Sequence, residues 1–184
     1  MRHLDTARRP RHSDAMITPA LLLALAVPAP LQDADPLVPA RDGQLQCHSP
    51  DTARKTCTAL AGYTFAADGT IANQAEVMLS SAPVIIMRDV APVVVRDGAV
   101  CGPMTGFEDA VFTVDGQPAG PATAQMIRVQ VTAAFAQLGT EGCTTYSPQG
   151  EGWLAEAVID GQPRPDLNQL LIWVSPSEGY SVRP

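Results

Sequence analysis

At 184 residues, with 46% hydrophobic residues and a mean hydropathy near zero, the chain is long enough to bury a core and too apolar to be disordered. Charged residues make up only 17%, and the formal net charge is −7. That balance offers no basic face on which nucleic-acid phosphates would release counterions, so nucleic acid is not expected as a partner.

The chain opens with Arg2, Arg8, Arg9 and Arg11, followed by the apolar run ITPALLLALAV at residues 17–27. Basic residues before a short apolar run describe a secretory signal. About eleven apolar residues are too few to cross a hydrocarbon layer that needs roughly 20, so no membrane span is expected after leader removal. Ala24-Leu25-Ala26 places small residues where a signal peptidase reads them, which predicts a signal peptide over 1–26. Met16 is an alternative start. Residues 27–46 carry Pro28, Pro30, Pro36 and Pro39 and predict a proline-rich mature N-terminal tail without regular structure. A single disulfide-bonded domain is expected over 47–184.

Four cysteines, Cys47, Cys57, Cys101 and Cys143, form an even set in a chain expected to reach an oxidising compartment. Three pairings are possible. Sequential pairing, Cys47 with Cys57 and Cys101 with Cys143, needs the least prior folding and is the expected one. No C-x-x-C occurs and Cys47-His48 is the only Cys-His neighbour, so neither a metal site nor a cofactor is expected.

From Leu60 onward the runs GYTF, NQAEVMLS, PVIIMRDV, PVVVRDGAVCG and DAVFTVDG are rich in β-branched and aromatic residues and predict strands. Asp68-Gly69, Asp97-Gly98, Asp115-Gly116 and Asp160-Gly161 lie beside them, and Asp-Gly suits hairpin loops that need positive φ. The repeated VDGQP (114–118) and IDGQP (159–163) are read as such turns, because each copy supplies one aspartate and no calcium-loop pattern. The periodicity predicts one main helix, Ala122 to Leu138, with an apolar stripe of Ile127, Val131, Ala134, Phe135 and Leu138 and Gly139 as its stop. WLAEAVIDG and NQLLIWVSP predict further strands. The expected fold class is α+β, an antiparallel β-sheet with one main amphipathic helix packed on a face and two disulfides.

Catalytic groups are sparse. Beyond the leader, His48 is the only histidine and Lys55 the only lysine, and His48 adjoins a cysteine expected to be oxidised. Glu151 and Glu156 form the one carboxylate pair worth naming for glycoside-type hydrolysis. With aromatics at 5%, Trp153 and Tyr180, each beside a glycine, are the candidate ligand contacts, whereas Trp173 inside LLIWV reads as core. The segments DTARKTC, GAVCG, CTTY and IWVSPSEGY, after an exported leader, resemble small secreted proteins of alphaproteobacteria of the sphingomonad kind. That resemblance implies export and a bacterial origin, and it transfers no site residue. The expectation is a periplasmic or secreted, non-catalytic domain that binds a ligand, a protein or an envelope component. The alternatives are a secreted hydrolase using carboxylates and a secreted inhibitor that offers a stapled loop.

Overall fold

The computed structural model describes residues 35–184. The expected signal peptide (1–26) and residues 27–34 of the expected tail lie outside the described residues. Within them, helix α1 (Val38–Arg41) and strands β1 (Leu45–His48), β2 (Thr56–Cys57), β3 (Ala59–Phe65), β4 (Ile71–Ser81), β5 (Val84–Arg96) and β6 (Ala99–Pro103) come first. Strands β7 (Val111–Val114) and β8 (Gln117–Pro118) precede helix α2 (Pro121–Leu138). Strands β9 (Glu141–Gln149), β10 (Gly152–Ile159), β11 (Gln162–Pro163), β12 (Gln169–Val174) and β13 (Ser181–Val182) complete the order.

Three of the four Asp-Gly pairs are two-residue hairpin loops. Asp97-Gly98, Asp115-Gly116 and Asp160-Gly161 all have positive φ at both residues, and their flanking partners Arg96 and Ala99, Val114 and Gln117, and Ile159 and Gln162 face each other. The repeated pentapeptide is therefore a repeated turn. Asp68-Gly69 differs. It lies in a longer loop in which only Gly69 has positive φ and the Asp68 carboxylate accepts from the Thr70 amide and hydroxyl.

Antiparallel pairing runs β4-β3-β1-β12-β10-β9-β6-β5, and β5 pairs back onto β4. The sheet thus closes into an eight-stranded barrel, which removes the open edges that an exposed sheet would leave. The expected antiparallel sheet and single main helix are present, but the sheet closes on itself, which the expectation did not state. Helix α2 instead packs where β4 and β5 extend beyond the closed part. There Ile127 and Val131 are buried with Met87, Phe107, Ala110 and Phe112. The predicted stripe is only partly buried, since Ala134 is exposed and Leu138 intermediate.

Sequence reading split PVIIMRDV from PVVVR at Pro92, yet β5 runs through it. At Pro92 the strand is paired only with β4, because on its other side β7 covers residues 85–88 and β6 covers 94–96. A missing N–H there removes no second ladder bond. Strand β9 (EGCTTYSPQ) was not anticipated, being polar and carrying Pro148. It is nonetheless held between β6 and β10.

The segment expected to be tail up to residue 46 is folded from residue 35. Asp35 accepts from the Leu37 amide and pairs with Arg41 at 2.6 Å, and Leu37 is fully buried. Pro39 sits in the first turn of α1, where a missing N–H costs nothing. Leu37 and Ala40 close one end of the barrel against Val100, with Phe65, Ile71 and Trp173 packed around them. Both disulfides have the expected pairing. Cys47–Cys57 staples the loop between β1 and β3, and Cys101–Cys143 joins residues directly opposite each other on β6 and β9.

Candidate functional site

Alternation along the barrel strands assigns an inner face. Residues 46 and 48 on β1 share that face with 59, 61 and 63 on β3, 73, 75 and 77 on β4, 144 and 146 on β9, and 155, 157 and 159 on β10. Ala59, Ala61, Ala75, Ala91, Ala155 and Ala157 stand there with Gly102 and Gly142. An eight-stranded barrel is just wide enough for ordinary side chains to fill. With methyl groups or hydrogens at these positions it is left with a cavity of about 420 Å³.

The floor of this cavity is polar. Tyr63 donates its hydroxyl to Gln46 Oε1 at 2.9 Å, and Tyr146 stands against the same pair. Gln46 is 1% exposed, and its Nε2 has no hydrogen-bond partner among the described residues. An unpaired buried amide N–H costs roughly 1–3 kcal/mol. Burial pushes both phenols above their ordinary range, Tyr63 further than Tyr146, so both stay protonated at neutral pH. Asn73 donates to the Gly62 carbonyl and Thr144 lies beside Tyr146 on the inner face of β9.

His48 is one layer above Gln46. It is half-buried where it lines the cavity, and burial lowers its pKa to about 4. The imidazole is therefore neutral at physiological pH. Met104, Phe135, Ile159 and Leu167 form the apolar far end, where Phe135 brings the end of α2 to the barrel. Phe107 holds Phe135 by a tilted ring contact at 4.7 Å. Among the residues lining the cavity no side chain is ionised at neutral pH.

A second recess, about 530 Å³, lies mostly on the outer side of β3, β4 and β5 and reaches the Ala75–Asp89 pair of the inner face. Its walls include Arg88, Val90 and Val111, all exposed, and Arg88 is paired with Glu76 at 2.9 Å. The lumen is the stronger site because its polar groups converge and one of them lacks a partner.

The sequence-predicted candidates lie elsewhere. Trp153 is half-buried on the inner-face register of β10, at the end closed by α1. Tyr180 is half-buried against the Cys47–Cys57 cluster with Leu60 and Ile172. Neither is an exposed aromatic anchor, and neither lines the cavity. Glu156 points to the outer face and accepts from Ser147, while Glu151 lies in the β9–β10 turn, so the two do not converge in a cleft. Lys55 is exposed and donates to the Glu178 carbonyl. Trp173 is part of the closed floor, in keeping with its reading as core. The lumen residues are not marked as a site by the sequence, in which His48 stands as a lone imidazole beside a cysteine and Gln46 follows a proline-rich segment. The available signal was alanine at alternate positions of β3 (59 and 61) and β10 (155 and 157). No family model matches this chain, and no curated protein or solved structure matches it at a significant level.

Proposed function

We propose that the chain is an exported, non-catalytic binding protein that holds a small molecule inside its barrel. The cavity carries this reading: about 420 Å³ falls within the roughly 300–1,000 Å³ of small-molecule sites, and small inward side chains keep it from closing. Two disulfides favour an oxidising compartment, periplasmic or extracellular, in line with the leader read from the sequence. Among the described residues no helix is long and apolar enough to cross a membrane. Among the described residues that line the lumen, the ionisable side chains are one neutral imidazole and two protonated phenols, which supports the non-catalytic reading.

Filling the cavity tests the reading. Ala91→Leu and Ala157→Leu place methylenes in open space, so the fold is expected to persist. A small molecule that raises the wild-type melting temperature in a thermal-shift screen should lose that effect in both variants. A ligand at a hundred times its Kd adds about 2.7 kcal/mol, well within detection. An unchanged shift in the filled variants overturns the lumen as the site. Hydrolase turnover abolished by Glu151→Gln or Glu156→Gln in a folded protein overturns the non-catalytic half.

Support for a second reading, a stapled loop offered to an enzyme, comes from the Cys47–Cys57 segment. Thr52, Ala53, Arg54 and Lys55 are exposed, yet the loop is tied by the Asp51–Thr56 bridge and by Arg54 to the Pro184 carbonyl at 3.1 Å. A panel of secreted hydrolases titrated with the protein tests it. Inhibition that Arg54→Ala removes would favour the loop over the lumen.

A further inference from the structure

We infer that the lumen takes an uncharged small molecule with an acceptor oxygen, a carbonyl, ether or hydroxyl, that meets the Gln46 amide at the floor while its apolar body lies against the alanine walls and Phe135. The inference rests on the lumen being a binding site and adds the chemistry of what binds there.

Two observations carry it. The first is the orphaned donor. Gln46 is 1% exposed and its Oε1 is engaged by Tyr63, whereas its Nε2 has no acceptor among the described residues. Buried polar groups are paired in the large majority of cases, and one that is not marks a place where something is missing. The terminal torsion of a glutamine is soft, so Nε2 can turn toward an oxygen arriving at the floor. The second is the absence of countercharge. Gln46, His48, Tyr63, Asn73, Thr144, Tyr146 and Gln169 supply the polar lining, and none of them carries a charge at neutral pH. A carboxylate or ammonium entering this space would leave water for a site with no opposite charge, which is far costlier than burying a neutral oxygen that finds a donor. The nearest carboxylate on the same strand face as Ala91 is Asp89. It borders the outer recess beside Asp109, and burial followed by the charges of Asp109 and Glu108 raises its pKa.

The test uses four probes on one skeleton with the full chain: 2-acetylnaphthalene, 2-ethylnaphthalene, 2-naphthoate and 2-naphthylmethylammonium. Affinities are read by calorimetry and by quenching of tryptophan emission, Trp173 being part of the floor cluster. The expected order places the acetyl probe about tenfold ahead of the ethyl probe, the gain of one satisfied hydrogen bond, with both ions weaker than either. Gln46→Met should reduce the acetyl-to-ethyl ratio to near one and leave ethyl binding in place. The ranking on wild-type protein stands as a test even if Gln46→Met fails to fold. Equal binding of the acetyl and ethyl probes, as when a bound water already satisfies the amide, overturns the acceptor half. Tighter binding of either ion overturns the neutral half, and in both cases the lumen remains the site. If all four probes bind, but equally well in Ala91→Leu and Ala157→Leu, the lumen reading itself fails. Binding of none of the four, with no shift in melting temperature, likewise counts against the lumen.

Discussion

At Cys47 and His48, neighbouring residues of β1 meet opposite environments. Cys47 is fully buried outside the barrel wall with Cys57, Val174 and Tyr180, while His48 faces the lumen. Its folded pKa of about 4 lies below the ordinary 6.5. The unfolded chain therefore binds a proton that the folded chain does not, over the interval between the two values. Stability from this group is intact above about pH 6.5 and declines as pH falls toward 4, by up to about 1.4 kcal/mol per pH unit. Melting temperatures of wild type and His48→Gln should run parallel above pH 7 and separate below 6, wild type falling more steeply. Parallel profiles throughout would place the imidazole in contact with bulk water. Leu37 offers a second check at this scale. It is fully buried at the closed end of the barrel, so Leu37→Ala should cost about 3 kcal/mol in urea denaturation, where a residue in a free tail would cost next to nothing.

Among the elements, the hairpin turns have a role beyond reversal of the chain. Asp160 sits at positive φ in the β10–β11 turn, and its carboxylate accepts from the Thr140 amide and hydroxyl and from the Glu141 amide at 2.8–3.1 Å. The turn thereby holds the link between α2 and β9. Gly139, in that same link, admits no side chain, because an added Cβ would collide with Ile159 and Asp160. The bonds from Glu141 and then Thr140 depress the Asp160 pKa, so their contribution is present above the ordinary carboxylate range and fades as pH drops below it. Asp160→Ala should lower the melting temperature at pH 7, with Asp160→Asn in between because asparagine tolerates the same backbone and keeps one acceptor. The difference between wild type and Asp160→Ala should shrink on acidification. Asp115 supports its own turn similarly, accepting from the Val84 amide at 2.9 Å.

For the whole molecule, closure of β5 onto β4 makes a barrel and a lumen from strands that would otherwise form an ordinary sheet. The two disulfides reinforce different parts of it. Cys101–Cys143 spans 42 positions of chain that include α2, and Cys47–Cys57 spans 10. Loop-closure entropy assigns the longer bridge about 4 kcal/mol and the shorter about 2.7. Replacing both cysteines of the longer bridge with serine should therefore lower stability more than replacing both of the shorter one, as read by denaturant midpoint at constant m-value. An equal loss would mean that the strand pair β2–β13, in which Val182 lies opposite Cys57, contributes as much as the entropy difference.

Local chemistry was enough to determine several features from the sequence alone. Three of the Asp-Gly turns follow from the φ requirement of a two-residue loop and α2 from its period and flanking residues, whereas the four cysteines left three pairings open and only the fold selects the sequential one. The lumen was not legible, because alternation shows that a strand has two faces but not that one of them surrounds a cavity. That depends on which strands meet at closure. Alanine at 59, 61, 75, 91, 155 and 157 reads along the chain as weak strand former, and only the pairing of β5 with β4 gathers these methyl groups around one space. Gln46 and Leu37 were hidden for a related reason: prolines at 36 and 39 argue locally against regular structure, while burial at the end of a barrel depends on contacts with residues far along the chain.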